Sequence, residues 1–135
     1  MTHILYILIR SDMASMNGGK AAAQASHASN AFVKHASGSK GVSIKRAFKE
    51  WTTETTQGFG TVLTLAVNEQ QMRTAVEVMQ NLDYVTEVIH DPTYPVRDGE
   101  VCHFLPIDTC AYVFVPNKED DIMAKAVLGN FSLYP

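Results

Sequence analysis

The sequence predicts an α/β fold, a three-layer α/β/α sandwich built on a mixed sheet of about four strands. The first observation is a continuous apolar run from Ile4 to Ile9, which is typical of a central strand covered on both faces. The second is that predicted strands alternate with predicted helices, and each connection is long enough to cross over. A chain of 135 residues is the size of one domain, so we expect residues 1–135 to form a single domain.

The individual elements follow from local patterns. An alanine-rich segment predicts the first helix, and apolar residues at helical spacing predict the second, with Trp51 as its core anchor. Asn68 and Gln71 form a capping-box pattern at the start of the third helix. The predicted elements are strands at 1–10, 61–67, 84–89 and 109–115, helices at 19–35, 43–51, 69–82 and 116–129, and a short closing strand or packed tail at 131–134.

No regular pattern is visible between Asp91 and Asp108, and we expect an irregular loop there. Three prolines and a glycine interrupt this segment: Pro92, Pro95, Pro106 and Gly99. Long loops are often functional, and ligands of α/β sheets bind beyond the carboxyl ends of the strands. The loop after the first strand, residues 11–19, and the loop from Asp91 are therefore expected at one edge, with Lys20 beside Asp91.

The net charge of −3 is unevenly distributed along the chain. Residues 13–49 contain six lysines and arginines but no acidic residue, which leaves −9 for the rest. Such a segment builds a local positive surface for nucleic acid, or it is a solvated helical face, and both readings stay open. Binding through a positive surface weakens steeply with salt.

Other classes of protein are disfavoured. The N-terminal apolar run is too short for a signal peptide or a membrane span. Cys102 and Cys110 are too few for a disulfide framework and too far apart for Cys-x-x-Cys chemistry, so we expect a reduced, cytoplasmic protein, with a disulfide between them as the alternative. The histidines lack zinc-ligand spacing, so neither a metal nor another cofactor is predicted. A phosphate-binding loop is disfavoured because Ala21 follows Lys20.

A polar stripe at the start of the first predicted helix indicates a site. Lys20, Gln24 and His27 are spaced at i, i+4 and i+7, so they share one side of the helix directly after a glycine turn. A helix start of this kind directs backbone N–H groups and a partial positive charge at an anion. The alternative is an ordinary helix surface with a half-buried histidine.

One run of nearly twenty positions carries a family resemblance. Its matching residues are Arg10-Ser11-Asp12, Met16 and Gly19-Lys20-Ala21-Ala22-Ala23-Gln24-Ala25-Ser26-His27-Ala28. This run resembles the signature of the type 2 peptidyl-tRNA hydrolase family. Weaker similarity follows at Ile89-His90-Asp91, where the family has arginine in place of His90, and at Gly129-Asn130-Phe131-Ser132-Leu133.

The resemblance implies hydrolysis of the ester that joins a peptide to the terminal ribose of tRNA, with tRNA as the partner and a homodimer as a possible assembly. Lys20 would stabilise the oxyanion or a nearby phosphate, and Asp91 would orient or deprotonate the attacking water, or hold Lys20. His27 and Thr109 complete the catalytic set that the resemblance implies. The substrate-binding residues would be Gly19, Gln24, Asp12, Thr93 and Lys34.

The chain departs from the family after Asp91. It continues Pro92-Thr93-Tyr94-Pro95 where the family has Ala-Gly-x-Thr, so Thr93 is the residue nearest to the family's first threonine. Two alternatives therefore stay open: a relative that hydrolyses a smaller ester or amide, and a non-catalytic module that binds RNA or a protein. Release of peptide or amino acid from N-blocked aminoacyl-tRNA would separate these readings.

Overall fold

The computed structural model describes residues 3–135 as a four-stranded sheet between two layers of helices. The strands are β1 (Ile4–Arg10), β2 (Val62–Val67), β3 (Val85–Asp98) and β4 (Val101–Val115), and the helices are α1 (Gly18–Gly38), α2 (Val42–Thr52), α3 (Glu69–Asn81) and α4 (Ile122–Leu128). The strand order is β2-β1-β4-β3, with β1 parallel to β2 and the other neighbours antiparallel. The predicted fold class is confirmed. Met1 and Thr2, the start of the first predicted strand, lie outside the described residues.

β1 is buried on both faces of the sheet. Its odd-numbered residues, such as Leu5, pack in the apolar cluster beneath α1 and α2, and its even-numbered residues, such as Leu8, pack in the cluster beneath α3 and α4. Successive strand residues point to opposite faces, so both kinds must be apolar here. Burial on both faces explains why the run from Ile4 to Ile9 is continuously apolar and does not alternate with polar residues.

α2 is anchored to the sheet through Trp51. The indole of Trp51 is 3% exposed, and its Nε1 donates a hydrogen bond of 2.9 Å to the backbone oxygen of Thr61. Phe32 of α1 meets the indole edge to face, with ring centroids 5.4 Å apart. Gly60 lies directly against the ring, since a Cβ built there would be 2.4 Å from three of its atoms. The predicted role of Trp51 as a core anchor is confirmed.

The start of α3 follows the predicted capping box. The side chain of Asn68 accepts a hydrogen bond from the backbone N–H of Gln71, and the Gln71 side chain accepts one from the backbone N–H of Asn68. The last predicted helix is correct in its end but not in its start. Asn117 has a positive φ of 53°, residues 118–120 form one turn of 3₁₀ helix, and Asp121 caps α4 instead.

The predicted irregular loop between Asp91 and Asp108 is wrong: these residues form the outer part of a long β3–β4 hairpin. β3 is an edge strand, where proline is tolerated because one side of the strand makes no ladder hydrogen bonds. Gly99, at φ +63°, makes the turn between the two strands. β1 pairs with β4 only as far as Cys110, so beyond that point the two strands pair with each other alone. We call residues 94–105 the arm.

The predicted closing strand is confirmed as a short antiparallel contact at the outer edge of β2. Leu133 bridges to Leu65, and the backbone N–H of Tyr134 donates to the oxygen of Thr64 at 2.9 Å. The Tyr134 hydroxyl also donates to the backbone oxygen of Met16, in the loop before α1. The tail therefore connects the sheet edge to the segment that begins the polar stripe.

Both cysteines are free thiols, Cys102 exposed and Cys110 buried, so the alternative of a disulfide between them is not realised. Burial raises the pKa of the Cys110 thiol to about 12. Within residues 3–135 no helix is long and apolar enough to cross a membrane. In the same part of the chain no three metal-binding side chains come together.

Candidate active site

The candidate site begins at the first turn of α1, directly after β1. Asn17 caps the helix: its side-chain oxygen accepts a hydrogen bond of 3.0 Å from the backbone N–H of Lys20. Gly18 and Gly19 form the exposed first turn, which contains no acidic residue. The partial positive charge of the helix N-terminus therefore adds to the charge of Lys20.

Gln24 joins the two long strands to α1. Its side-chain Nε2 donates to Oδ2 of Asp91 at 2.7 Å, and its Oε1 accepts a bond of 2.6 Å from the Thr109 hydroxyl. A carboxylate only accepts hydrogen bonds, so the amide can face Asp91 only through its nitrogen. Gln24 and Thr109 are buried, at 3% and 0% exposure. The hydroxyl, the amide and the carboxylate therefore form one fixed row.

A β-bulge directs Thr109 into this row. The pairing between β3 and β4 jumps from Ile89–Cys110 to His90–Asp108, which leaves Thr109 without a cross-strand partner. In a regular strand Thr109 and Cys110 would face opposite sides. Here both face α1, because the thiol of Cys110 donates to the backbone oxygen of Gln24 while Thr109 bonds to its side chain.

A second irregularity lies in β3. Asp91 pairs with Ile107 and Tyr94 with Leu105, so β3 has one more residue than β4 between these pairs. The extra residue turns Tyr94 to the same side as Asp91, where its ring is fully buried and its hydroxyl lies 3.1 Å from Ser15 Oγ. The two irregularities bring Asp91, Tyr94 and Thr109 together on the face that carries α1.

Asp91 is held as a carboxylate. Its Oδ1 accepts bonds from the backbone N–H of Thr93 at 2.9 Å and from the Thr93 hydroxyl at 3.3 Å, in addition to the Gln24 bond. Desolvation raises the pKa of Asp91, but the bonds from Gln24 and Thr93 and the nearby His27 outweigh it, so the pKa lies below the ordinary aspartate value.

Lys20 lies one helical turn before Gln24 and is fixed by the arm. Its Nζ donates a hydrogen bond of 2.7 Å to the backbone oxygen of Pro95 and lies 5.3 Å from the centre of the Tyr94 ring. Among residues 3–135 no ion pair within 4.0 Å joins Lys20 to Asp91. The alternative in which Asp91 holds Lys20 is therefore not realised, because the Pro95 carbonyl holds it, and the other role expected for Asp91, toward the attacking water, stays a prediction.

The remaining predicted residues are spread around this row. Exposed His27 lies near Asp91, and exposed Lys34 follows seven residues later on the same helical stripe, about 10 Å further along the axis. Asp12 lies beside the start of α3, away from this row. Its carboxylate pairs with Arg10 at 3.0 Å and accepts a bond from the backbone N–H of Glu69, at the start of α3.

A charged network on the opposite face of the sheet has no counterpart in the sequence analysis. The Asp108 carboxylate accepts bonds from Arg73 of α3 at 2.7 Å and from His90 Nδ1 at 2.8 Å. The backbone oxygen of Asp108 accepts a bond from Arg10. The partners lie far apart along the chain, so no local sequence pattern connects them. The one signal in the sequence is the replacement of the family's arginine by His90.

The match to a known family extends over almost the whole chain. A family model described as peptidyl-tRNA hydrolase PTH2 matches residues 3–134. The chain belongs to this family. It is a peptidyl-tRNA hydrolase, an enzyme whose substrate is a tRNA that carries a peptide, and the resemblance found between Arg10 and Ala28 is confirmed. A comparison with curated proteins finds no match.

The peptidyl-tRNA hydrolase carries its row of polar residues beside a basic layer. Residues 18–52, which span α1 and α2, contain six lysines and arginines and one acidic residue, Glu50. Five of these cations have exposed side chains: Lys34, Lys40, Lys45, Arg46 and Lys49. A surface of this kind attracts a polyanion even on a chain with a net negative charge. A cavity of about 770 Å³ lies at the other end of the sheet, beside His3 and Tyr84.

Proposed function

We propose that Lys20, Gln24, Asp91 and Thr109 form the catalytic centre that hydrolyses the ester between the peptide and the terminal ribose of tRNA. The observation that carries this proposal is the hydrogen-bonded row in which one buried amide joins Thr109 to Asp91. A half-buried carboxylate, held by three hydrogen bonds on the face of the sheet that carries Lys20 and the N-terminus of α1, suits the attack of water on an ester.

In this proposal Asp91 holds and deprotonates the attacking water. The water oxygen bonds to the ester carbonyl carbon while its proton moves toward the carboxylate. The bond to the ribose oxygen then breaks, and that oxygen leaves with the proton. The pKa of Asp91 lies below the ordinary aspartate value, so its carboxylate is ionised at neutral pH, accepts the proton only transiently and passes it to the ribose oxygen. Thr93, which donates two bonds to Oδ1, supports the same orientation.

Lys20 stabilises the negative charge that develops on the carbonyl oxygen. An ammonium has three N–H groups, and one of them bonds to the Pro95 oxygen, which leaves two for the substrate. Because the contacts with Pro95 and Tyr94 fix the ammonium in advance, it need not reorganise as charge develops.

The substrate-binding residues extend the site along α1. We propose that His27 contacts the terminal adenosine, that the backbone N–H of Gly19 donates a hydrogen bond to a phosphate at the helix start, and that Lys34 binds a phosphate further along the same stripe. A role of Asp12 in substrate binding stays a prediction, because its carboxylate is engaged by Arg10 and by α3.

The test is hydrolysis of N-blocked aminoacyl-tRNA and peptidyl-tRNA by the wild type, Lys20→Ala and Asp91→Asn. We expect each variant to lose roughly 10²–10³-fold in kcat, as for the loss of a preorganised charged group. Lys125→Ala on α4 and Asp98→Asn at the tip of the arm are matched controls, because both side chains are exposed and away from the row.

Wild-type rates in Lys20→Ala or Asp91→Asn would overturn the assigned roles. Binding of tRNA to the wild type without turnover would instead support the alternative of an RNA-binding module. Turnover of small esters but not of the tRNA substrates would support the alternative of a relative with a smaller substrate.

We also infer a homodimer and a cytoplasmic location. The arm exposes apolar side chains, with Phe104 at 64%, Val101 at 57% and Leu105 at 41%, and a second copy would cover them. Light scattering should give the mass of a dimer for the wild type and of a monomer for Phe104→Glu, and a monomeric wild type would contradict the assembly. A peptidyl-tRNA substrate is consistent with a cytoplasmic location of the enzyme. Fractionation of cells would test this location.

A further inference from the structure

The charged network around Asp108, on the face of the sheet that carries α3, is connected to the proposed catalytic row through the backbone. Asp108 directly precedes Thr109, and His90 directly precedes Asp91. The bond between the Asp108 carboxylate and His90 Nδ1 therefore joins β4 to β3 at the point where the pairing jumps. The side chains of Thr109 and Asp91 project from these neighbouring positions toward the opposite face of the sheet, where both bond to Gln24.

A bulge needs support, because the regular ladder of hydrogen bonds is interrupted there. Three groups supply this support at Asp108. His90 and Arg73 bond to its carboxylate, and Nη1 of Arg10 donates to its backbone oxygen at 3.1 Å. Glu69 connects the two arginines, with contacts of 2.9 Å to Arg10 and 3.5 Å to Arg73. The end of β1, α3 and both strands of the hairpin are thereby tied to one residue.

We propose that Asp108, held by His90 and Arg73, is a positioning residue that fixes the direction of Thr109 and Asp91 in the catalytic row. It touches no reacting atom. It acts by holding the backbone of the bulge from the opposite face, so that Thr109 and Asp91 both reach Gln24. This inference rests on the catalytic roles proposed above for Asp91 and Thr109. The bonds from His90 and Arg73 lower the pKa of Asp108, so its carboxylate stays charged in this network.

The experiment compares His90→Ala with its conservative partner His90→Arg. The side chain of His90 is 58% exposed, so its removal is compatible with folding. We expect His90→Ala to lower kcat roughly 10- to 100-fold with little change in KM, since small displacements of reacting groups have effects of this size. His90→Arg restores a donor to Asp108 and should recover most of the lost rate.

The matched control is His103→Ala on the same hairpin. His103 is 52% exposed and also lies beside an aspartate, with 3.9 Å between its Nε2 and Oδ2 of Asp98. That pair is at the arm tip and not at the bulge, so kcat should stay at the wild-type value. Arg73→Gln, which removes the other donor to Asp108, should resemble His90→Ala.

The pH profile separates positioning from a general loss of stability. Bonds from Gln24 and Thr93 lower the pKa of Asp91, so a variant that turns the carboxylate away from Gln24 should move the acid limb of kcat/KM to higher pH. His27 from α1 and Cys110 from β4 are the titratable groups that interact with Asp91, Lys20 lies one helical turn before Gln24, and all three are unchanged in these variants.

The proposal is overturned if His90→Ala lowers only the melting temperature, with wild-type kcat and pH profile in the folded enzyme. It is also overturned if His90→Arg fails to recover the rate while remaining folded. Failure of the catalytic assignment is distinguishable, because Asp91→Asn would then be active. If Asp91→Asn is inactive and His90→Ala resembles the wild type, only the positioning role fails.

Discussion

At the scale of the residue, the chemistry of Gln24 explains why an amide stands at this position. One side must donate to the Asp91 carboxylate and the other must accept from the Thr109 hydroxyl, and a neutral amide offers both groups. A glutamate would place a second negative charge beside Asp91, and a lysine would have no acceptor for Thr109. The amide therefore connects two elements without adding a charge to the site.

Replacement of Thr109 by valine should destabilise the enzyme and slow catalysis. Valine has nearly the same shape but no hydroxyl, so the buried Oε1 of Gln24 loses its partner, which costs about 1–3 kcal/mol of unfolding free energy. Urea unfolding measures the stability, and peptidyl-tRNA turnover measures kcat. Thr109→Ser keeps the hydroxyl and should retain most of the activity. Equal stability of the valine variant and the wild type would contradict the importance of this bond.

The polar stripe of α1 was predictable from the sequence, but its partners were only partly so. Helical spacing placed Lys20 and Gln24 on one side of α1, and the family resemblance pointed to Asp91 and Thr109. The contact of Lys20 with the Pro95 carbonyl was not predictable, because a backbone acceptor leaves no mark on the sequence. Asp91 lies between the two irregularities in the pairing of β3 with β4. Such irregularities depend on pairing between segments that are distant in the sequence, so local patterns do not reveal them.

At the scale of the element, the β3–β4 hairpin is where the sequence was misleading. Pro92, Pro95 and Pro106 are signals for irregular structure in most contexts. Pro95 is accepted because β3 is an edge strand, and the other two lie at the irregularity between the Asp91 and Tyr94 pairs. The position of a strand within its sheet is a property of the whole topology, so local patterns could not reveal it.

The contact of α2 with the start of β2 gives a prediction about packing. Gly60→Ala should lower the unfolding free energy by about 1–3 kcal/mol, because the new Cβ would overlap the Trp51 ring and force it from its place. Thermal unfolding, and urea unfolding followed by the fluorescence of Trp51, would measure the loss of unfolding free energy.

The matched control is Gly38→Ala at the end of α1. A Cβ added at Gly38 meets no atom within 4 Å, so the stability should stay equal or rise by less than about 1 kcal/mol. If both glycine variants were equally stable, the close approach of Gly60 to Trp51 would not contribute to the fold.

At the scale of the whole molecule, charge is divided between the two helical layers. The layer of α1 and α2 holds most of the cations and lies beside the row of polar residues, whereas the segment before α4 contains three acids, Glu119, Asp120 and Asp121. We therefore expect the enzyme to bind tRNA through the layer of α1 and α2. Binding through this layer would allow a chain of net charge −3 to act on a polyanion.

Salt should therefore affect substrate binding more than the chemical step. We expect KM for peptidyl-tRNA to rise steeply between roughly 50 and 200 mM salt, with kcat nearly constant. Lys34→Ala and Lys45→Ala should each reduce the slope of log KM against log salt by about 1 if the lysine meets a phosphate. Lys125→Ala on α4 should leave the slope unchanged. A KM independent of salt would show that the basic layer does not face the substrate.

The anchoring of Lys20 by the Pro95 carbonyl has a consequence for how the arm can be studied. Every amino acid carries the same main-chain oxygen, so scanning the arm by point substitution would leave this tether in place. Insertion or deletion of one residue between Asp91 and Pro95 would instead move this oxygen relative to Lys20. Changes in the arm's side chains are thus compatible with a fixed Lys20 ammonium, whereas changes in the length of the segment from Asp91 to Pro95 are not.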